Sequence, residues 1–283
     1  MGVLMSPEQS TMNNYLPFVK RRLWKLLPKS NFLYRVCKRY VDLYTSENDD
    51  DMRSNGELYL MRQVIPRCRI VFDVGANVGH WASLAVRINA AVSLHCFEPS
   101  RATYQHLVAN KFKSNVICNN FGMGSTLGTA KLFIFEQGSG INSLYQRQGL
   151  ESFGLETQRH EEIIRLDTID HYCHEHGIER IDFLKIDVEG HELEVFKGMR
   201  EILAQGKVDF IQFEYGGANI DSGVLLKDIF NIFQPFSYDF YKIYPRHIKK
   251  IAMYDQRLEN FQYQNWVIVR SQVSLGALMK SRS

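Results

Sequence analysis

The stretch VFDVGANVGHW, residues 71–81, restricts this chain's fold more than any other. Residues 70–73 are apolar up to Asp73 and read as a buried strand. Gly75 and Gly79 bracket a tight loop, and Trp81, Leu84, Ala85 and Ile88 follow at helical spacing. Strand, glycine loop and helix in that order form a nucleotide-type binding element. The strand end presents a carboxylate, the glycines let backbone N–H groups approach a ligand, and the helix N-terminus adds a partial positive charge. An ordinary glycine turn explains the same residues equally well. A dinucleotide fingerprint places glycines at 75, 77 and 80, whereas this chain has Gly75, Asn77 and His80. The pattern D-x-G-A-N-x-G therefore speaks against a nicotinamide or flavin cofactor.

The flanking sequence extends the alternation of strand and helix. Leu58, Met61, Val64 and Ile65 suggest a short helix stopped by Pro66. Strands are expected at 92–97 and 115–118, with a helix carrying Tyr104, Leu107 and Val108 between them. Residues 130–135 and 163–166 read as additional strands, separated by a long polar loop containing Gly138, Gly140, Asn142 and Ser143. A short polar helix covers 168–177. The strand 181–186 delivers Asp187-Val188-Glu189-Gly190-His191, and one helix then carries apolar residues from Leu193 to Leu203, with Gly206 as its C-cap. A strand at 208–213 ends in Glu214, and 224–233 is helical. Strands at 238–244, 249–254 and 265–270 read as an antiparallel meander. Such βαβ alternation predicts an α/β fold with a parallel sheet covered by helices.

In an open α/β sheet, ligands bind outside the carboxyl ends of the strands. Asp73, Glu98, Asp187 and Glu214 each end an expected strand. Gathering four carboxylates at one edge is costly unless a ligand uses them. Glu98, 25 residues after Asp73, is placed to accept from a ribose diol. Asp73, Glu98, Asp187 and Glu189 also have a plain structural reading as loop or helix caps.

Outside this region the chain is less specific. Its net charge of +3 does not mark a nucleic-acid binder, and the scattered, odd-numbered five cysteines suit a reducing compartment. No apolar run reaches the roughly 18 residues of a membrane span, and the N-terminus lacks a signal-peptide pattern, so the cytoplasm is the expected location. Residues 1–14 read as disordered. Within 15–44, eight Lys or Arg fall between Lys20 and Arg39 without an acid, interleaved with Trp24, Phe32 and Tyr34. The favoured reading is a helix packing its apolar stripe on the domain, and the other is peripheral contact with a membrane or lipid-linked substrate. An acidic loop at 46–53 separates this segment from the rest. The cluster His171-x-Cys173-His174-x-His176 fits no zinc spacing and reads as one exposed helical turn.

Four motifs together resemble the FkbM-type methyltransferases of the class I S-adenosylmethionine-dependent fold: FDVGANVG (72–79), FEPS (97–100), LKIDVEGHELEVFKG (184–198) and FEYGG (213–217). Asn142-Ser143-Leu144 matches a further element of that family, and the resemblance covers about 55–272. It implies a Rossmann-like, mostly parallel seven-stranded sheet with helices on both faces and an antiparallel strand near the C-terminus. The implied division is an N-terminal basic and aromatic extension at 1–50, the methyltransferase domain at 55–272 and a tail at 273–283. It also implies S-adenosylmethionine as cofactor. Asp73, Gly75, Asn77 and Gly79 would hold the methionine end, Glu98 the ribose, and Asn120 and Gly122, within 119–122, the adenine. Many class I enzymes carry an acid in that last stretch and this chain has none. The implied acceptor is a hydroxyl of a sugar or a secondary metabolite, as a small molecule or within a glycan. Asp187, Glu189 and His191 are the candidates for the reacting edge, where an alcohol must lose its proton. A divalent metal shared by Asp187 and Glu214 is chemically allowed but unsupported by the spacing. A non-catalytic binding protein on the same fold is the remaining alternative.

Overall fold

The computed structural model describes residues 29–113, 115–135, 142–149 and 160–276. The basic residues before Lys29, the loop glycines Gly138 and Gly140, and the chain beyond residue 276 lie outside them. The chain divides into two compact units, Met1–Thr45 and Ser46–Ser283. In the first, Asn31–Thr45 forms helix α1, with Phe32, Val36, Tyr40 and Leu43 at helical spacing and a Lys38–Asp42 ion pair at 3.2 Å one turn apart.

The second unit opens with α2 (Glu57–Val64), which runs into a 3-10 turn at Pro66. Strand β1 (Ile70–Val74), helix α3 (His80–Ile88), β2 (Ser93–Phe97), α4 (Arg101–Ala109) and β3 (Val116–Asn119) follow as a βαβαβ unit. After β4 (Gly122–Met123), β5 (Gly128–Ile134), β6 (His160–Asp167) and α5 (Ile169–Glu175) come β7 (Ile181–Ile186), α6 (Glu192–Lys197), α7 (Arg200–Ala204) and β8 (Val208–Tyr215). The chain continues with α8 (Ala218–Ser222), α9 (Leu226–Phe233), β9 (Tyr238–Tyr244), β10 (His247–Ile251) and β11 (Gln264–Arg270).

The main sheet has the order β10-β9-β11-β8-β7-β1-β2-β3. The five strands from β8 to β3 are parallel, giving the Rossmann-like arrangement. From β1 the chain first builds outward through β2 and β3, then returns to β7 on the other side. The switch point therefore lies between β1 and β7, where such sheets open a crevice at their carboxyl ends. Alternation along β1 sends Phe72 and Val74 into the apolar layer with Phe196 and Phe233, and Val71 into the layer with Leu60 and Trp81, so helices cover both faces.

Several expectations change in detail. The sheet has eight strands because 238–251 folds as the hairpin β9–β10, which adds an edge strand. The C-terminal strands are not a simple meander: β11 inserts between β8 and β9, antiparallel to both, and the edge strand is His247–Ile251. The expected strands at 130–135 and 163–166 pair with each other and with β4 in a separate three-stranded sheet. The helix expected across 193–203 breaks at Gly198, where a Cβ would overlap the Gly124 carbonyl oxygen. Met199, at φ −130° and ψ 24°, interrupts the helical dihedrals there. Within the acidic loop, Glu47 is buried and accepts from Lys242 Nζ at 3.1 Å and Asn260 Nδ2 at 2.9 Å, which ties the loop to the C-terminal strands. In the histidine-rich turn, Cys173 is buried, His171 Nδ1 pairs with Asp167 at 2.8 Å, and His176 stacks on Tyr172.

Candidate functional site

The glycine loop is shaped by what passes behind it. Gly75 sits at φ +83°, and a side chain there would run into the Asp187 carbonyl oxygen, so only glycine lets the loops after β1 and β7 meet. Gly79, also at positive φ, packs instead against α4, where a Cβ would come within 2.8 Å of Leu107 Cδ1. Asn77 takes the left-handed conformation at φ +48° and accepts from Val78 N–H through Oδ1 at 2.7 Å. Its own N–H donates to Glu98 Oε2 at 3.0 Å, and Ser100 N–H donates to Oε1 at 2.9 Å. Each oxygen of Glu98 keeps a further lone pair for a ligand. Burial pushes this carboxyl up to about 7, against the two amides. Asn120 buttresses the turn from behind, donating to the carbonyls of Glu98 at 2.9 Å and Pro99 at 3.1 Å.

Beside this loop, at the switch point, opens a cleft of about 670 Å³. Gly75, Asn77, Glu98 and Thr103 form its polar side. Met123, Leu132, Ile164 and Leu166 of the small sheet form the apolar side, and Asp187, Glu189 and His191 close one end. Gly122 lines it too, packed within 3.0 Å of Leu166 if it carried a Cβ. Of the residues selected from sequence, Asp73, Gly79 and Asn120 stand outside the lining: Asp73 beneath the loop, Gly79 against α4, and Asn120 behind Glu98. The hydroxyl of Thr103 is buried against the cleft and meets no hydrogen-bond partner among the described residues. An orphaned hydroxyl of this kind leaves a hydrogen bond unfilled at the polar side of the cleft.

The reacting edge is held from two sides. Asp187 Oδ2 accepts from Lys185 Nζ at 2.8 Å. Glu189 sits at φ +51° beside Gly190 at φ +100°, a turn fixed by Ser143 Oγ donating to the Glu189 carbonyl at 2.7 Å. Arg147 spans the turn, donating from Nη1 to Glu189 Oε2 at 2.8 Å and from Nε to Asp221 Oδ2 at 3.1 Å. Burial, with Asp187 nearby, pushes the Glu189 carboxyl up to about 8 despite Arg147. The His191 ring meets the Tyr145 hydroxyl at Nδ1, 3.0 Å, and burial lowers its pKa to about 4, so the ring is neutral near pH 7. Glu214 stands apart from this cleft. It accepts from the Tyr263 hydroxyl at 2.8 Å and lines a neighbouring cavity. Among the described residues no group of three or more His, Cys, Asp or Glu is arranged to hold a metal.

Asp73 belongs to a polar row across the sheet. Register pairs it with Lys185 on β7, and Lys185 with Gln212 on β8, so the three project to one face. Gln212 donates to Glu57 at 2.6 Å. Neither carboxylate oxygen of Asp73 meets a donor among the described residues, and burial pushes its carboxyl up to about 7, opposed by Lys185. Lys185 was legible in principle, since a residue two before Asp187 on a strand shares its face. Arg147 and Tyr145 carry no such signal, because loop residues join the site only through the fold.

A sequence profile described as the Methyltransferase FkbM domain matches residues 73–241. Methyltransferase sdnD of Sordaria araneosa is 32% identical over 162 residues, covering 48% of this chain and 62% of that protein. Hexuronic acid methyltransferase AglP of Haloferax volcanii is 29% identical over 163 residues, covering 56% and 59% respectively. The chain thus spans about three fifths of the length of each relative. A crystal structure of methyltransferase FkbM from Methylobacillus flagellatus superposes with a TM-score of 0.44 at 16% identity, over 71% of this chain and 43% of that one.

Proposed function

Because this chain belongs to the FkbM methyltransferase family, we propose that it methylates a hydroxyl using S-adenosylmethionine, with a sugar of a glycan or glycolipid as acceptor. The observation that carries the cofactor is the cleft itself: Glu98 with spare acceptor capacity, the orphaned Thr103 hydroxyl, and an apolar wall opposite them. These residues suit a ribose beside a flat base, while Asp187 at the end of the cleft suits a cation. The name of AglP supports a sugar acceptor.

When bound, S-adenosylmethionine supplies a methyl group already activated on a sulfonium. Alignment then accounts for much of the rate, and the chain's part is to fix the acceptor oxygen and take its proton. His191, neutral and weakly basic, is the poorer proton acceptor, and its Tyr145 contact suits it to shaping the cleft. Asp187 is the better one, since Lys185 engages one oxygen and fixes the side chain. The basic and aromatic helix α1 supports contact with a lipid surface or a lipid-linked acceptor. No helix among the described residues is long and apolar enough to cross a membrane. We place the reaction in the cytoplasm, which suits five free thiols.

Calorimetry with S-adenosylhomocysteine tests the cofactor assignment. Binding is expected, and Glu98→Ala should weaken it about tenfold or more, the loss of hydrogen bonds to a charged group. With its carboxyl near 7, wild-type affinity should tighten from about pH 6 to about pH 8, and Glu98→Gln should flatten that dependence. No binding at millimolar ligand would sink the assignment.

A further inference from the structure

Helix α1 has two unlike faces. At 3.6 residues per turn, Phe32, Leu33, Val36, Tyr40, Leu43 and Tyr44 fall within about 120° of one another around its axis. All six are exposed, from 44% at Leu33 to 75% at Tyr44, and no residue of α1 is buried. Val41 and Tyr34, also exposed, widen the stripe. The opposite face carries Arg35, Lys38, Arg39 and the one acid of the helix, Asp42, which pairs with Lys38 at 3.2 Å. Single exposed apolar side chains are ordinary on a protein surface, but a contiguous stripe marks a surface that meets a partner.

The chemistry of this helix narrows the partner. The stripe is wider than the a/d seam by which two helices pair. Its rim is cationic: Arg39 follows Phe32 and Leu43 around the axis, Arg35 lies beyond it, and the only acid is already engaged by Lys38. A second copy of the helix would set these arginines against each other, with no acids to pair them. An anionic headgroup layer complements them. Tyr34, Tyr40 and Tyr44 add rings with an apolar body and a polar tip, which suit the boundary between headgroups and acyl chains.

We propose that α1 is an interfacial helix that lies flat on a bilayer containing anionic lipid. Phe32, Val36 and Leu43 enter the acyl boundary, while Arg35, Lys38 and Arg39 extend along the surface to the headgroup phosphates. The partner is thus the bilayer itself rather than a lipid-linked acceptor. The proposal deepens the lipid contact of the proposed function and rests on that part of it, not on the methyl-donor site.

Flotation of the full chain with vesicles tests this. Expected are binding to equimolar phosphatidylcholine and phosphatidylglycerol, binding weaker by about tenfold or more to phosphatidylcholine alone, and a decline with added salt. Arg35→Ser with Arg39→Ser should weaken binding to the mixed vesicles by about tenfold or more. Phe32→Ser with Leu43→Ser should weaken it by a similar factor, since the apolar area no longer leaves water. All four positions are exposed, so scanning calorimetry should show an unchanged thermal midpoint in both variants. The proposal is overturned by a wild-type chain that floats with neither vesicle, by equal binding to both, or by either variant binding as wild type does. A dimer in the absence of lipid that Phe32→Ser with Leu43→Ser splits would also overturn it, giving the face to a second copy. Intact flotation without any S-adenosylhomocysteine binding would instead overturn the donor reading and leave this one standing.

Discussion

Lys185 stands among Glu57, Asp73, Asp187 and Glu214, and the field of these carboxylates holds its pKa above the ordinary lysine value despite burial. One cation facing four acids explains two features of the site: Asp187 is pinned at 2.8 Å, and Asp73 tolerates a carboxylate without a hydrogen-bond donor among the described residues. Removing one partner of a buried charge group is far more damaging than losing an exposed pair, because the remaining charges stay desolvated. Lys185→Met is therefore expected to cost about 3–5 kcal/mol at about pH 8, above the folded-state pKa of Asp73, read from urea denaturation of the full chain. A loss under about 1 kcal/mol would show that the acids are neutral and need no counter-charge. The sequence displayed this lysine within LKIDVEGHE, yet its importance depends on Glu57 and Glu214, which come from distant parts of the chain.

Among the elements, the site depends on the breaks as much as on the regular pieces. Periodicity predicts one helix from Leu193 to Leu203, and it found the buried side chains Val195, Phe196, Ile202 and Leu203 correctly. It could not show that Gly198 touches the backbone at Gly124, since that contact joins segments more than seventy positions apart. In an ordinary helix interior, Gly→Ala stabilises by roughly 0.5–1 kcal/mol. Here the sign should reverse, with Gly198→Ala costing about 1–3 kcal/mol through overpacking, measurable as a lower denaturation midpoint. The small sheet β4-β6-β5 was equally hidden: β5 and β6 were visible in the sequence, but not β4, the separation from the main sheet or the service of these strands as the apolar wall of the cleft.

At the scale of the whole molecule, the buried acids give stability a distinctive pH dependence. Asp73, Glu98 and Glu192 are each pushed to about 7 and Glu189 to about 8, in every case chiefly by burial. In the unfolded chain such groups titrate near 3.8 to 4.5. Between those values the folded chain holds protons that the unfolded chain has released. This contribution is complete below about pH 4 and is lost as pH rises through about 7 to 8. His95 and His191, lowered to about 4, act in the opposite sense only up to their ordinary value of 6.5. Above that pH the acids act alone, each worth up to about 1.4 kcal/mol per pH unit. The thermal midpoint of the ligand-free protein should therefore fall between about pH 6.5 and about pH 8, as scanning calorimetry at constant ionic strength would record. A midpoint that rose over this interval would mean the carboxylates are ionised and compensated in the fold.

By itself the sequence determined the α/β class, the placement of the parallel strands, the glycine loop and the carboxylates that end those strands. All of these follow from short-range pattern: alternation along a strand, helical spacing, and the few residues that tolerate a turn. Only the tertiary structure decided which carboxylates share a cavity. It set Glu98, Asp187 and Glu189 on one cleft, moved Glu214 to the next, and sank Asp73 into the row with Lys185 and Gln212. That sorting depends on strand order, register and burial. These are fixed by contacts between residues far apart in the chain, which no local pattern encodes.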